Sequence, residues 1–472
     1  FSPGALDVAV EALDEAAIRR ARLIAISVPM HLALRLGVRV AERARVLNPG
    51  AHVSLFGLYA ALNRGHLLGR HCDSVIGGEA DEPLRRLAQA LDACLRAGAA
   101  RPDEPPVPDR AIAGVATPLH PALLPPAKAS LKPALPQRGA LPALSRYARL
   151  DTGVAAEVGK GAETGGGSEG AVAPVRGPLK LVASVEATRG CLHLCRHCPI
   201  VPVYRGRFVA VPREIVLGDI AQQIAAGARH VSFGDPDFLN GPTHALRIAE
   251  ELHARFPGVT FDATIKIEHL LAHRSLLPRL AATGCIFITS AIESLNDRVL
   301  AALDKGHVAA DVPVALRLVR EAGIDLRPTL LPYTPWARLE DMAGLFAFAE
   351  EHDLIEQIEP VQYTLRLLIP PGSALLDAPG EKPWLAGLDP EGFTFRWRHE
   401  DPRVDALEAA SSALARTHAQ DLRPAHETFA ALRELAERAA FGEATPRTAP
   451  ASDERAPRKR RSAPRLTEPW FC

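Results

Sequence analysis

The chain has 472 residues, 47% of them hydrophobic, enough apolar surface for two to three ordinary packed domains. Its 55 Lys and Arg balance 55 Asp and Glu, which argues against a nucleic-acid binder or an acidic-tail protein, and no run of about 18 apolar residues marks a membrane span. Seven cysteines, three of them within eight residues, do not make a disulfide scaffold and suit a reducing cytoplasm with one metal site.

Residues 1–98 read as an α/β unit. Leu23 to Val28 is a short apolar strand, followed by a helix with Leu32, Leu36, Val40 and Ala41 on one face. Val53 to Phe56 and Asp73 to Ile76 are further strands, and a helix with Leu84, Leu87 and Leu91 follows Gly77-Gly78-Glu79. Residues 99–178 are rich in Pro, then in Gly around Gly165–Gly167, and read as a linker in which Tyr147 and Leu150 are docking residues. Residues 179–400 return to alternation. Strands are expected at Leu179 to Val185, Val231 to Phe233, Phe261 to Ile267, Ile286 to Ile292, Leu326 to Leu331 and Val361 to Ile369, with helices between them. Strands alternating with helices imply a parallel sheet, here a partial (β/α)6 barrel of TIM type, whose reactive residues sit at the C-terminal strand ends. Residues 401–442 form an amphipathic helical tail, and 443–472, with the basic run Arg458–Arg461, read as a disordered, solvated tail.

The loop after the first barrel strand reads Arg189-Gly190-Cys191-Leu192-His193-Leu194-Cys195-Arg196-His197-Cys198-Pro199. Thiolates at spacings of four and three converge on one metal centre, and thiolate is the ligand of both iron–sulfur clusters and zinc. Three cysteines on a four-iron cube leave one iron open. The alternatives are a zinc site completed by His193 or His197 and three unrelated core cysteines; a zinc ribbon would need a second short Cys/His pair, and none follows.

Cys-x3-Cys-x2-Cys after the first strand is similar to the signature of the radical S-adenosylmethionine (SAM) superfamily, and the resemblance extends over 179–376. It implies that Cys191, Cys195 and Cys198 hold a [4Fe–4S] cluster, that S-adenosylmethionine chelates the open iron, and that reductive cleavage yields methionine and a hydrogen-abstracting 5′-deoxyadenosyl radical. His197 stands where the family carries an aromatic against the adenine. Phe233-Gly234-Asp235-Pro236-Asp237-Phe238 resembles the acidic motif for the methionyl amino group, so Asp235 and Asp237 are candidate cofactor ligands; the plainer role is a helix cap. Ser290-Ala291-Ile292-Glu293-Ser294, followed by Lys305-Gly306, is similar to the ribose-binding segment, with Ser290 and Glu293 as candidates and a surface salt bridge as the alternative for Glu293. Pro370-Pro371-Gly372-Ser373 resembles a late barrel turn. An electron donor such as flavodoxin or ferredoxin is implied as partner; the substrate is not.

Asp73-Ser74-Val75-Ile76-Gly77-Gly78-Glu79 resembles part of the incomplete Rossmann-like, cobalamin-binding domain that precedes many such barrels. The D-x-H-x-x-G ligand motif is absent, and neither His66 nor His71 has the right neighbours, so cobalamin binding stays open. The alternatives to hydrogen abstraction are cobalamin-dependent radical methyl transfer, sulfur insertion, for whose auxiliary cluster Cys285 and Cys472 are too few, and, in a different class, a non-catalytic zinc-bearing scaffold. Glu468-Pro469-Trp470-Phe471-Cys472, with Ser27-Val28-Pro29-Met30-His31, resembles a group named for a Cys-selenocysteine-Ala-Glu-Pro or Cys-Cys-Ala-Glu-Pro tail (CUAEP/CCAEP). The expectation is a chain cut short at both ends, opening at Phe1 and stopping at a UGA codon after Cys472; the alternative is a fortuitous terminal cysteine.

Overall fold

The computed structural model describes residues 3–97, 104–123, 133–152, 179–442 and 464–467. The Gly165–Gly167 run, Arg458–Arg461 and Cys472 lie outside them.

Near the N-terminus three apolar segments pair in parallel: β1 (Leu23–Ser27), β2 (His52–Phe56) and β3 (Ser74–Ile76), with Ile26 beside Leu55 and Leu55 beside Val75. The helix His31–Leu47 crosses over between β1 and β2 and buries Leu34, Val38, Ala41 and Ala44, one face of its 3.6-residue period. At Gly37 an added Cβ would lie 2.6 Å from the Val28 side chain, so the helix approaches the sheet through a glycine. β4 (Val115–Ala116) closes the sheet antiparallel to β3.

The larger sheet runs β12-β11-β10-β9-β6-β5-β15. Its five parallel strands are β6 (Lys180–Val185), β9 (His230–Phe233), β10 (Thr260–Thr264), β11 (Cys285–Glu293) and β12 (Asp325–Leu330). β5 (Arg149–Asp151) and β15 (Arg465–Leu466) extend the β6 edge antiparallel. Helices Arg213–Ala225, Pro242–Arg255 and Asp311–Glu321 cover the outer face with Ile220, Ile248 and Leu316, giving a curled half-barrel. A short ribbon of β7 (Thr188–Gly190) and β8 (Phe208–Ala210) brackets the cysteine loop.

The sixth strand expected at 361–369 does not form. Pro360 opens a 3-10 turn over Pro360–Thr364, and only Tyr333 and Arg366 make a parallel bridge. The Leu330 N–H that a sixth strand would engage donates instead to the Gln362 side-chain oxygen at 3.0 Å. Leu150, expected to dock, is fully buried, and the Tyr147 hydroxyl donates to Asp7 at 2.8 Å. A hairpin of β13 (Leu385–Asp389) and β14 (Thr394–Trp397) follows. The helical tail is two helices, Pro402–Gln420 and Ala425–Phe441; Phe429 of the second packs on Phe346, itself stacked on Tyr363 at 4.4 Å. Among the described residues no helix is long and apolar enough to cross a membrane.

Candidate active site at the mouth of the half-barrel

The cysteine loop leaves β7 through Gly190, whose φ of 81° is left-handed; an added Cβ there would meet the Arg207 carbonyl oxygen and the Tyr204 ring at 2.5 Å. Hydrogen bonds from outside hold the loop. Buried Asn240 accepts from the Leu192 N–H at 3.1 Å and donates to the Gly190 carbonyl at 3.2 Å. The Arg196 N–H donates to the Leu303 carbonyl at 2.9 Å. The Ser373 hydroxyl, from the Pro370–Ser373 turn, donates to the Arg196 carbonyl at 3.2 Å.

Cys191 and Cys195 are buried, and no disulfide ties any of the three loop cysteines. Burial is the main cause that pushes the Cys191 thiol up to about 11, with Asp237 and Cys195 adding to it, and the Cys198 thiol up to about 12, with Cys195 and Cys191 adding to it. Three neighbouring thiolates, two of them buried and one half-buried, repel one another, fit a multivalent cation and are costly without one. His193 and His197, the two completing ligands of the zinc alternative, point elsewhere: His193 faces Asp237 and His197 faces Glu293.

Across the mouth, β11 ends in a bulge that puts Glu293 at a φ of 65° and turns its carboxylate inward. Its Oε1 lies 3.1 Å from Lys305 Nζ and 3.3 Å from His197 Nε2. Burial pushes this carboxyl up, but Lys305 and His197 outweigh it and hold it at about 2. Ser290 is fully buried, and its hydroxyl has no hydrogen-bond partner among the described residues; neither does Nδ1 of His197 nor either ring nitrogen of His307. Buried polar atoms are normally satisfied, so this unpartnered set is a candidate lining for a polar ligand. Lys305 and His307 were missed as site residues by sequence reasoning, although Lys305-Gly306 lies in a quoted motif.

The two acids after β9 part company. Asp235 accepts from the Ala187 N–H at 2.9 Å, the Thr188 N–H at 2.5 Å and the Thr188 hydroxyl at 2.6 Å, so its oxygens tie the entry of the cysteine loop to β9. Burial pushes its carboxyl up to about 7 against the pull of those three donors. Asp237 caps the Leu239 N–H through Oδ1 at 2.9 Å, the cap considered above, while Oδ2 faces His193 and His269.

The N-terminal unit meets this loop directly. Glu79, in the turn after β3, accepts from Arg189 at 2.8 Å and from the Tyr204 hydroxyl at 2.6 Å.

Residues 185–346 match the family model of the Radical SAM superfamily. The chain is 26% identical over 186 residues to the tRNA-2-methylthio-N(6)-dimethylallyladenosine synthase of Shewanella sp. (strain W3-18-1), and 28% identical over 188 residues to that of Shewanella baltica (strain OS185). Each match covers 37% of this chain and 38% of the relative, so the chain spans well under half the length of the curated relatives it matches. Among solved structures, the cobalamin-dependent S-adenosylmethionine radical enzyme OxsB with aqua-cobalamin bound is similar with a TM-score of 0.59 and 13% identity, over 90% of this chain and 64% of that one. The radical S-adenosylmethionine methyltransferase TsrM from Kitasatospora setae, with tryptophan and a SAM analogue bound, is similar with a TM-score of 0.54 and 15% identity, over 80% and 74%. At these identities the structural likeness is one of fold. Together with the loop cysteines at the strand ends, the family match makes the half-barrel of this chain a radical SAM superfamily domain.

Proposed function

We propose that this chain is a radical SAM enzyme in which Cys191, Cys195 and Cys198 hold a [4Fe–4S] cluster beside a bound S-adenosylmethionine. The observation that carries the reading is the placing of three loop cysteines, two of them buried and the third half-buried, beside buried, unpartnered polar atoms at the mouth of a parallel half-barrel. When bound, the cluster supplies the electron that reductively cleaves the sulfonium of S-adenosylmethionine. Glu293, held ionised, accepts hydrogen bonds from the ribose diol, with Ser290 beside it and His197 on the adenine side. Lys305 offsets negative charge, being placed between Glu293 and the loop thiols, which both favour its charged form. Asp235 orients the loop through the backbone of Ala187 and Thr188 without touching the cofactor. A flavodoxin- or ferredoxin-type donor in a reducing cytoplasm completes the reading.

The test is anaerobic reconstitution with iron and sulfide, then S-adenosylmethionine with a strong reductant and an assay for 5′-deoxyadenosine. Product is expected from the wild type and not from Cys191→Ala, Cys195→Ala or Cys198→Ala. A chain that takes up no iron and holds zinc that is lost in the cysteine variants would overturn the reading in favour of a zinc-bearing scaffold.

Cobalamin-dependent methyl transfer is a second reading, favoured by the Glu79 contacts with Arg189 and Tyr204, which turn the strand ends of the N-terminal sheet toward the cysteine loop. Ligands of open α/β sheets bind at those ends. Cobalamin absorbance that stays with the protein through gel filtration supports this reading, and its complete loss refutes it.

A further inference from the structure

Against the cysteine loop, three side chains from three separate segments come together, the third from the short helix Ile267–Ala272. His193 lies between the first two loop cysteines, Asp237 follows β9 and His269 follows β10. One ligand atom from each lies within 4.8 Å of the other two. Asp237 Oδ2 is 3.0 Å from His269 Nδ1 and 3.7 Å from His193 Nε2. Donors about 2.0–2.1 Å from a tetrahedral ion stand roughly 3.3 Å apart, so these two separations bracket the spacing an ion imposes.

The nitrogens are also aimed for it. His193 Nε2 and His269 Nδ1 are both buried and make no hydrogen bond among the described residues, although a fully buried carboxylate stands next to them. The other nitrogen of His193, Nδ1, is 3.4 Å from Glu268 Oε2. A carboxylate behind the non-ligating nitrogen is the usual outer partner of a metal-bound histidine. Glu268 is itself held by Lys266 Nζ at 3.2 Å, so that ammonium is already engaged by a carboxylate.

We propose that His193, Asp237 and His269 bind one divalent first-row transition-metal ion, separate from the cluster on Cys191, Cys195 and Cys198. Two imidazoles and one carboxylate suit zinc or iron(II), and three protein ligands leave the ion an open coordination position. The assignment gives Asp237 to the ion, not to the cofactor's amino group. It uses none of the loop cysteines and does not depend on the cluster.

The test loads the full chain anaerobically with iron and sulfide, adds Co2+ alone, dialyses, and measures cobalt by elemental analysis and by the EPR signal of high-spin Co(II). About one Co2+ per chain is expected to be retained. His269→Ala, which lies outside the cysteine loop, is expected to lower the affinity at least about tenfold, and Glu268→Gln by about 10–100-fold, with the sulfide content, which reports the cluster alone, unchanged. If iron does not load, the Cys191→Ser/Cys195→Ser/Cys198→Ser chain is expected to retain cobalt all the same. A wild-type chain that retains no cobalt would overturn the proposal. So would retention unaffected by both His269→Ala and Asp237→Asn.

Discussion

Replacing Glu293 by Gln isolates the charge at the mouth of the half-barrel. Gln keeps the shape of Glu and must adopt the same φ of 65°, so backbone strain is common to both chains. What changes is the partner of Lys305, whose side chain is 3% exposed and whose Nζ lies 3.1 Å from the Glu293 carboxylate. In the cluster-free chain the nearby Cys198 thiol is protonated at neutral pH, since burial pushes it up to about 12, so it offers no counter-charge. Breaking a buried pair by removing one member costs about 3–5 kcal/mol. At roughly 2–4 °C per kcal/mol for a domain of about 150–250 residues, the melting temperature falls by roughly 6–20 °C. Lys305→Met in the same chain removes the stranded ammonium, and the double variant is expected to regain more than half of the loss. Thermal melts of the four chains of this double-mutant cycle measure the coupling directly. A Glu293→Gln chain that melts within about 2 °C of wild type, as a solvent-screened pair would allow, refutes the argument, as does a double variant no better than the single one.

Gly190→Ala is expected to abolish iron loading: the left-handed backbone costs a non-glycine residue about 1–2 kcal/mol, and the new Cβ must also displace the Arg207 carbonyl. Full iron content in that variant would contradict this account of the loop. Asn240→Ala leaves the Leu192 N–H and the Gly190 carbonyl without their partner, so the apo chain should lose about 1–3 kcal/mol per group left unsatisfied and show faster proteolysis within 191–207; an unchanged cleavage rate argues against the clamp. Buried His52, between the Pro106 carbonyl at 2.7 Å and the Ser74 hydroxyl at 2.8 Å, has its pKa lowered by burial. A base whose folded-state pKa lies below its unfolded value is protonated preferentially in the unfolded chain. The N-terminal unit should therefore lose stability as pH falls below about 6.5, by up to about 1.4 kcal/mol per pH unit. His52→Gln should flatten that slope, and an identical pH profile in the variant would show that His52 is not its source.

The sequence by itself determined what local pattern encodes. Apolar runs of strand length alternating with helices of 3.6-residue period marked both sheets, although in the helix His31–Leu47 Leu32 and Leu36 of the expected face are exposed and Leu34 and Val38 pack instead. The cysteine spacing marked the loop, because Cys-x3-Cys-x2-Cys is a ligand pattern carried by one short segment. Tertiary structure decided what depends on strand order. Val361–Ile369 reads as a strand by composition, yet Gln362 satisfies the Leu330 N–H and Pro360 turns the chain, so the ladder stops at β12 apart from one bridge. Asp235 and Asp237 are equivalent acids in the sequence; only the fold ties one to the Thr188 backbone and turns the other to two histidines. His193, Asp237 and His269 have no sequence relation. They meet because β6, β9 and β10 are neighbours in a parallel sheet, which delivers the loops after all three strands to the same end of the half-barrel.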